Sequence, residues 1–313
     1  MSEKILATIR AEDFVGRNAE MESILRHAEG ENSSRGLLLL SAPALGASEL
    51  LKQTYDRLFR GHGDTIPFYF SLNDTDKTAE QLALRFLQTF LRQAVAFRRK
   101  DKKILDASPD ICELSELAVP SDGYWIDRLV ATCQTESKLN DERSFVKNCL
   151  SAPLRASAHG ANVFVMIDNL HEAEHFSGEI NLIEEIKEVY SRAGIQFVLA
   201  GRRRFLLNAV QTGNAKLTDT VTLQIEPLAF SDAGLLIENL SERFKVKINE
   251  QTRDLIARQF DANPTFIRFL FQAARAKKFN LDNFQRVEQV YADEIFGGGI
   301  SKFYDTIFQK ISA

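Results

Sequence analysis

Eight residues, Ser41-Ala42-Pro43-Ala44-Leu45-Gly46-Ala47-Ser48, have types and spacing that suit phosphate chemistry. An apolar run, Gly36 to Leu40, leads into them, and a helical pattern through Leu50, Leu51, Tyr55, Leu58 and Phe59 follows. A strand, a tight loop of small residues and then a helix is the setting in which backbone N–H groups cradle phosphate. Against the pattern G-x-x-x-x-G-K-[ST], Gly46 and Ser48 are in place, while Ser41 replaces the first glycine and Ala47 the lysine. The backbone keeps its attraction for anions through such changes. The ammonium charge is lost. A unit charge pair at about 4 Å and an effective dielectric near 20 is worth about 4 kcal/mol as an upper guide, or roughly three decades of affinity. Ser48 keeps a hydroxyl suited to Mg²⁺, but little grips a terminal phosphate, so hydrolysis through this loop is not expected. Taken alone, the octapeptide reads equally well as an ordinary strand-to-helix turn of another α/β fold.

A second stretch, His171-Glu172-Ala173-Glu174-His175, matches H-E-x-x-H, and Gly178 extends the match. On an α-helix two imidazoles four residues apart share a face and bind Zn²⁺ beside a glutamate base. The context opposes that chemistry. Asn181 stands where a third ligand would follow, Glu174 adds a second charge, and the segment comes directly after an apolar strand. A polar, solvated strand-to-helix connection is expected instead. Cys112, Cys133 and Cys149 lack C-x-x-C spacing and read as buried free thiols on helices. Arg202-Arg203-Arg204 at a strand end could contact phosphate or nucleic acid, but Arg203 and Arg204 read as solvated charge. The run Arg98 to Lys103 is favourably placed at a helix C-terminus, with a DNA or partner surface as the sharper alternative. Trp125, beside Tyr124, reads as an aromatic anchor, with an exposed contact point as the alternative.

These residues need elements to hold them. Five short apolar runs are bounded by turn residues: Gly36 to Leu40, Ile66 to Leu72, Asn162 to Ile167, Ile195 to Ala200 and Val221 to Ile225. Continuous apolarity suits parallel strands covered on both faces. Between them lie amphipathic helical patterns. One runs from Glu80 to Arg99, with Leu82, Phe86, Phe90, Ala94 and Phe97 on one stripe; another runs from Glu179 to Arg192. Alternation of strand and helix predicts an α/β fold, a parallel five-stranded sheet sandwiched by helices. About 90 residues separate the second and third runs, far more than one crossover needs, so several helices are inserted over about 78–158. After Pro227 the strand patterns stop. Ser231 to Phe244, Asn249 to Phe260 and Pro264 to Lys278 read as helices, with Ser231 as an N-cap and Pro264 in a first turn. Gly297 to Gly299 marks a break before a short terminal helix. The expected division is a tail (1–10), an α/β domain (11–228) and a smaller all-helical lid domain (229–313).

In this order the motifs resemble the AAA+/STAND superfamily of P-loop NTPases. Phe14-Val15-Gly16-Arg17, with Glu20 after it, is similar to the box that precedes the first strand and lies beside adenine in that family. Ser41 to Ser48 resembles G-x-P-G-x-G-K-[ST]: Pro43 falls in place, and Ser41, Ala44 and Ala47 depart from it. Val163 to Asp168 resembles a Walker B strand, whose terminal acid would hold Mg²⁺ through water. Asn169 stands where the adjacent catalytic acid belongs, and Glu172 is a displaced candidate for that role. Phe197 to Arg202 resembles the fourth strand with its sensor arginine. Ile225 to Leu228 resembles the passage into the lid, and Asp261-Ala262-Asn263-Pro264 the lid's Gly-Asn-Pro motif. The likeness covers approximately Glu12 to Phe279.

The resemblance implies a nucleotide site made of Phe14, Val15, Gly16, Arg17, Pro43, Gly46, Ala47, Ser48, Asp168, Arg202 and Pro264, with Ser48 and Asp168 holding Mg²⁺ only if nucleotide binds. With Ala47 in the loop, the expected role is that of a degenerate, non-hydrolysing module serving as a scaffold or regulatory domain with no obligate cofactor. It would engage a protein partner or other domains of a longer chain, or a second copy of itself. The alternative is a nucleotide-gated switch that binds ATP or ADP with Mg²⁺ and hydrolyses slowly or not at all. An origin-recognition-like DNA binder ranks below both. Composition agrees with a globular chain: 313 residues, 44% hydrophobic and 26% charged, with 23 Phe. A net charge of −4 exerts no global pull on nucleic acid or anionic lipid. No stretch approaches the ~18 apolar residues of a membrane span, and the N-terminus lacks a secretory pattern; a cytoplasmic location is expected.

Overall fold

The computed structural model describes residues 3–31, 33–73, 75–137, 141–176, 180–191, 194–213 and 216–312. Helix α1 (Asn18–Ala28), strand β1 (Gly36–Ser41), helix α2 (Ala47–Gly61) and strand β2 (Thr65–Ser71) come first. Six inserted helices follow: α3 (Ala79–Arg99), α4 (Lys103–Ala107), α5 (Ile111–Leu117), α6 (Pro120–Ser137), α7 (Glu142–Leu150) and α8 (Ala152–Ala158). Next come β3 (Asn162–Asp168), α9 (Leu182–Tyr190), β4 (Gln196–Arg202), α10 (Arg203–Gln211) and β5 (Thr220–Ile225). The chain continues through α11 (Phe230–Phe244), α12 (Glu250–Gln259), α13 (Pro264–Ala276), α14 (Phe284–Phe296) and α15 (Gly299–Ser312). Among the described residues no helix is long and apolar enough to cross a membrane.

All strand pairings are parallel, in the order β2-β3-β4-β1-β5. The carboxyl ends therefore share one edge. Ser41 is level with Arg202 on one side and Ile225 on the other, and Ser71 is level with Asp168. That edge is where open α/β sheets bind ligands. Gly36 opens β1 because nothing larger fits: a Cβ there would lie 2.6 Å from the Phe197 ring and 2.7 Å from the Thr220 methyl. β1, β3 and most of β4 are buried on both faces, as their continuous apolarity predicts. β5 departs from that expectation. It is an edge strand whose Val221 and Thr222 are exposed, and its polar Thr220, Thr222 and Gln224 suit a margin left uncovered.

The insertion covers the opposite edge. Phe86 meets Phe68 and Phe70 edge-on at 4.9 and 5.0 Å, and Phe90 joins Phe68 to Trp125. Trp125 is buried, its indole N–H donating to Asp122, so it anchors helices while Tyr124 stays exposed. The Gln93 side chain of α3 pairs with the outward backbone of Tyr69, accepting from its N–H and donating to its carbonyl, both at 2.8 Å. One amide thus closes the edge ladder and fixes Tyr69. Arg98 pairs with Asp122 and Lys102 with Glu3, so the basic run is partly spent on internal contacts. Cys133 and Cys149 are buried with sulfurs 3.8 Å apart, whereas Cys112 lies on the exposed face of α5, contrary to expectation.

Residues 3–9, read above as part of a tail, are tied to α2. The fully buried Asp56 carboxylate accepts the N–H groups of Ile5, Leu6 and Ala7 at 2.8, 2.7 and 3.3 Å. Glu49 accepts those of Thr8 and Ile9. A separate apolar core, from Leu228 to Ile300, holds α11 to α15 together. Asn263 caps α13 through the N–H groups of Thr265 and Phe266, with Pro264 in the first turn as expected. Ser231 is not the cap of α11. The helix starts one residue earlier, at Phe230, and Ala229 precedes it without a side-chain bond. The helix α14, not foreseen, fills the span before the glycine break.

Candidate functional site

β1 ends at Ser41, whose hydroxyl donates to its neighbour's carbonyl, Ala42 O, at 2.7 Å. The chain then turns through two left-handed residues, Ala44 (φ 68°) and Gly46 (φ 88°), before α2 begins at Ala47. Gly46 adopts this conformation freely. Ala44 holds it at a cost of about 1–2 kcal/mol, at the position where the family pattern has glycine. Contacts from outside maintain the shape. Thr265 of α13 donates its hydroxyl to the Ala44 carbonyl at 2.7 Å, and Arg17 donates to the Leu45 carbonyl at 3.2 Å. A Cβ on Gly46 would meet nothing closer than Pro264, at 4.0 Å. The loop is therefore held in its left-handed turns by contacts from outside it, with open space at Gly46.

Arg17 is buried and occupied. Besides Leu45 it reaches the Glu226 carbonyl at 2.5 Å and Glu20 at 3.0 Å, which joins the box before α1 to the loop and to the end of β5. Among the described residues three clefts border the loop, and two of them reach α2. One, of about 230 Å³, lies between Phe14, Val15 and Arg17 and the residues Leu236, Arg243, Pro264 and Arg268 of α11 and α13. The other, of about 470 Å³, is lined by the whole loop with Lys52, Asp168, Glu172 and Arg202, and α15 contributes Phe303 and Ile307. Leu45, Gly46, Glu49, Thr8 and Thr265 border both. Gly16 keeps its segment close to α11, since a Cβ there would sit 3.0 Å from Asp232.

Asp168 ends β3 almost fully buried. It accepts from the Tyr69 hydroxyl at 2.8 Å and from the Asn169 N–H at 2.7 Å, and the Ser48 hydroxyl bonds to it as well. Burial raises its pKa above the usual carboxylate range, opposed by the bonds from Ser48, Tyr69 and Asn169 and by the charge of Lys52. Burial likewise pushes the Tyr69 phenol far up, and the Asp168 charge adds to it. A hydroxyl and a carboxylate in contact form an oxygen donor set fitting Mg²⁺. Bound there with nucleotide, the ion would neutralise phosphate charge.

A buried carboxylate with a raised pKa binds its proton more tightly folded than unfolded. The folded state is thus disfavoured above the folded pKa, and this penalty disappears below the unfolded one. Asp168→Asn is never charged and is expected to melt higher than the wild type at pH 8. The difference should shrink as the pH falls towards 4. Thermal melts at the two pH values check this, and a variant that melts lower at pH 8 contradicts it.

Asn169 takes a left-handed conformation, and its amide donates to Ser71 at 3.0 Å. No acid occupies its place. Glu172 is buried and borders the loop cleft, 3.5 Å from His171 Nε2. The expectation of a solvated connection fails here, because the turn packs against the end of β4, with Gly201 against the Leu170 and His171 backbone. Leu170–His175 is a 3₁₀ helix, with about three residues per turn, so positions 171 and 175 do not stack as on an α-helix. The His175 side chain and Gly178 lie outside the described residues. Among the described residues no cluster of three His, Cys, Asp or Glu side chains suits a metal.

Sequence reasoning missed Lys52, Tyr69, Glu49, Thr8 and the arginines Arg243 of α11 and Arg268 of α13. Burial, and next the nearby Arg243, lower the Arg268 pKa. Its spacing four residues after Pro264, on one face of α13, was the available signal.

Parallel strands in this order, a loop turning into α2 and an acid at the end of β3 define the α/β fold of P-loop ATPases. No protein-family model matches the sequence, and no curated protein does. Among solved structures, the chain is similar to the Walker-type ATPase paby2304 of Pyrococcus abyssi, with a TM-score of 0.62 and 12% identity over 99% of this chain and 79% of that one. Domain III of the Thermotoga maritima replication initiation protein DnaA aligns with a TM-score of 0.48 and 14% identity, over 91% of this chain and 96% of that one. At this identity, the first likeness concerns the fold.

Proposed function

We propose that this chain is a non-hydrolysing module of the AAA+/STAND type that acts as a scaffold or regulatory domain, engaging protein partners through its inserted helices and lid. The observation that carries the reading is a loop whose shape is retained while its chemistry is reduced. Ala47 brings no charge to the cradle, and Asn169, bonded to Ser71, brings no base. Transfer of a terminal phosphate requires both charge neutralisation and an oriented nucleophile. Neither is in its usual place.

A second reading has its own support. The cleft around Ser41 to Ser48 is roomy, Gly46 and Ala44 keep the left-handed turns of a phosphate cradle, and Ser48 touches Asp168. These favour a nucleotide-gated switch that binds ATP or ADP with Mg²⁺ and lets the lid report occupancy. Denaturing the natively purified protein and chromatographing the supernatant separates the two. Near-stoichiometric ADP or ATP is the result expected of a switch, and absence of nucleotide that of a scaffold.

A further inference from the structure

We propose that Lys52 delivers to a phosphate-bearing ligand the positive charge that Ala47 withholds, its ammonium entering the loop cleft from one turn further along α2. The inference rests on the second reading above, in which the cleft takes a nucleoside di- or triphosphate.

Helix geometry sets the argument. Residues four apart stand over one another, so Lys52 shares a face with Ser48. Side chains on a helix lean towards its N-terminus, and a lysine stem is long enough to cross a turn of about 5.4 Å. The loop lies at that N-terminus, and Lys52 lines the same cleft as Gly46, Ser48 and Asp168. Its ammonium sits 5.8 Å from the centre of the Tyr69 ring, the phenol that donates to Asp168. Lys52 is half-buried on this path.

The neighbouring charges make the assignment specific. Of the carboxylates around the cleft, Glu49 is occupied by Thr8, Ile9 and Gln53, Asp168 by Ser48, Tyr69 and Asn169, and Glu172 lies 3.5 Å from His171 Nε2. Arg202, which also borders the cleft, enters from the end of β4, level with Ser41. Lys52 is the cleft cation carried on the same helix as Ser48. A lysine at 47 would approach the phosphates from the first turn of α2; Lys52 approaches the same space from the second.

The test is titration calorimetry of the full chain with adenosine, ADP and ATP in the presence of Mg²⁺, for the wild type, Lys52→Met and Lys52→Arg. The wild type is expected to bind ATP. Lys52→Met should weaken ATP at least roughly tenfold while leaving adenosine unchanged, and Lys52→Arg should retain most of the ATP affinity. A ligand-free melt of each variant establishes folding, and Lys52→Gln substitutes for Met should the latter fail to fold. Equal ATP affinity in the wild type and Lys52→Met overturns the role of Lys52 and leaves the nucleotide reading standing. Equal loss of adenosine and ATP also overturns it, since the lysine then shapes the pocket and does not meet phosphate. No binding of ATP or ADP by the wild type at millimolar concentration overturns both.

Discussion

Ala47→Lys tightens binding of ATP with Mg²⁺ by up to roughly three decades, the worth of about 4 kcal/mol for a close charge pair at partial burial. The expectation depends on the loop already having the shape that a lysine would serve. Ala44 and Gly46 make the left-handed turns, Thr265 and Arg17 hold the Ala44 and Leu45 carbonyls, and no Cβ-sized obstruction lies at Gly46. Adding Ser41→Gly contributes little, because Ser41 is the last residue of β1 and is not among the left-handed positions of the loop. The substitution has a small cost, since a cation in the first turn of α2 opposes the helix dipole by about 0.3–1 kcal/mol. Calorimetry and a thermal melt read both effects. Unchanged affinity in a folded Ala47→Lys protein means that the cradle is closed to phosphate in solution.

Asp56→Ala lowers the stability of the chain by about 3–4 kcal/mol. The carboxylate is fully buried and accepts three backbone N–H groups, with Arg60 at 3.8 Å. Removing it strands those donors and frees the segment that also places Thr8 and Ile9 against Glu49. At about 2–4 °C per kcal/mol for a body of this size, the melting temperature falls by about 10 °C. Protease sites within residues 3–9 become accessible as well. Asp56→Asn, which retains an acceptor oxygen, loses less. A melt within 2 °C of wild type with the N-terminal segment still protected would show that the strap contributes little.

Much of the scaffold was legible because its signals are local. Continuous apolar runs marked the five strands to within a residue or two, and the stripe on α3 marked the helix that covers β2. The loop was legible as a strand-to-helix turn of small residues, and only the motifs around it gave it the likeness of a phosphate loop. β5 misled because its apolar positions suggested two covered faces, while its alternating Thr and Gln reflect an uncovered margin. What topology assembles was hidden. Tyr69 meets Asp168 across 99 positions of sequence, and nothing near either residue announces the other. The Arg17 guanidinium likewise reaches the Leu45 and Glu226 carbonyls, far along the chain, besides Glu20. Lys52 was passed over because pattern matching stops at Ser48, whereas the side chain leans back towards the residues the pattern names.

The proposed lack of hydrolysis is tested most directly by a single-turnover assay, with the full chain in large excess over ATP labelled on its terminal phosphate. With no ammonium at 47 and an amide at 169, the label should remain in ATP over hours with Mg²⁺, at the rate seen without protein. Release of labelled phosphate that rises with protein concentration and disappears in Asp168→Ala would contradict the account.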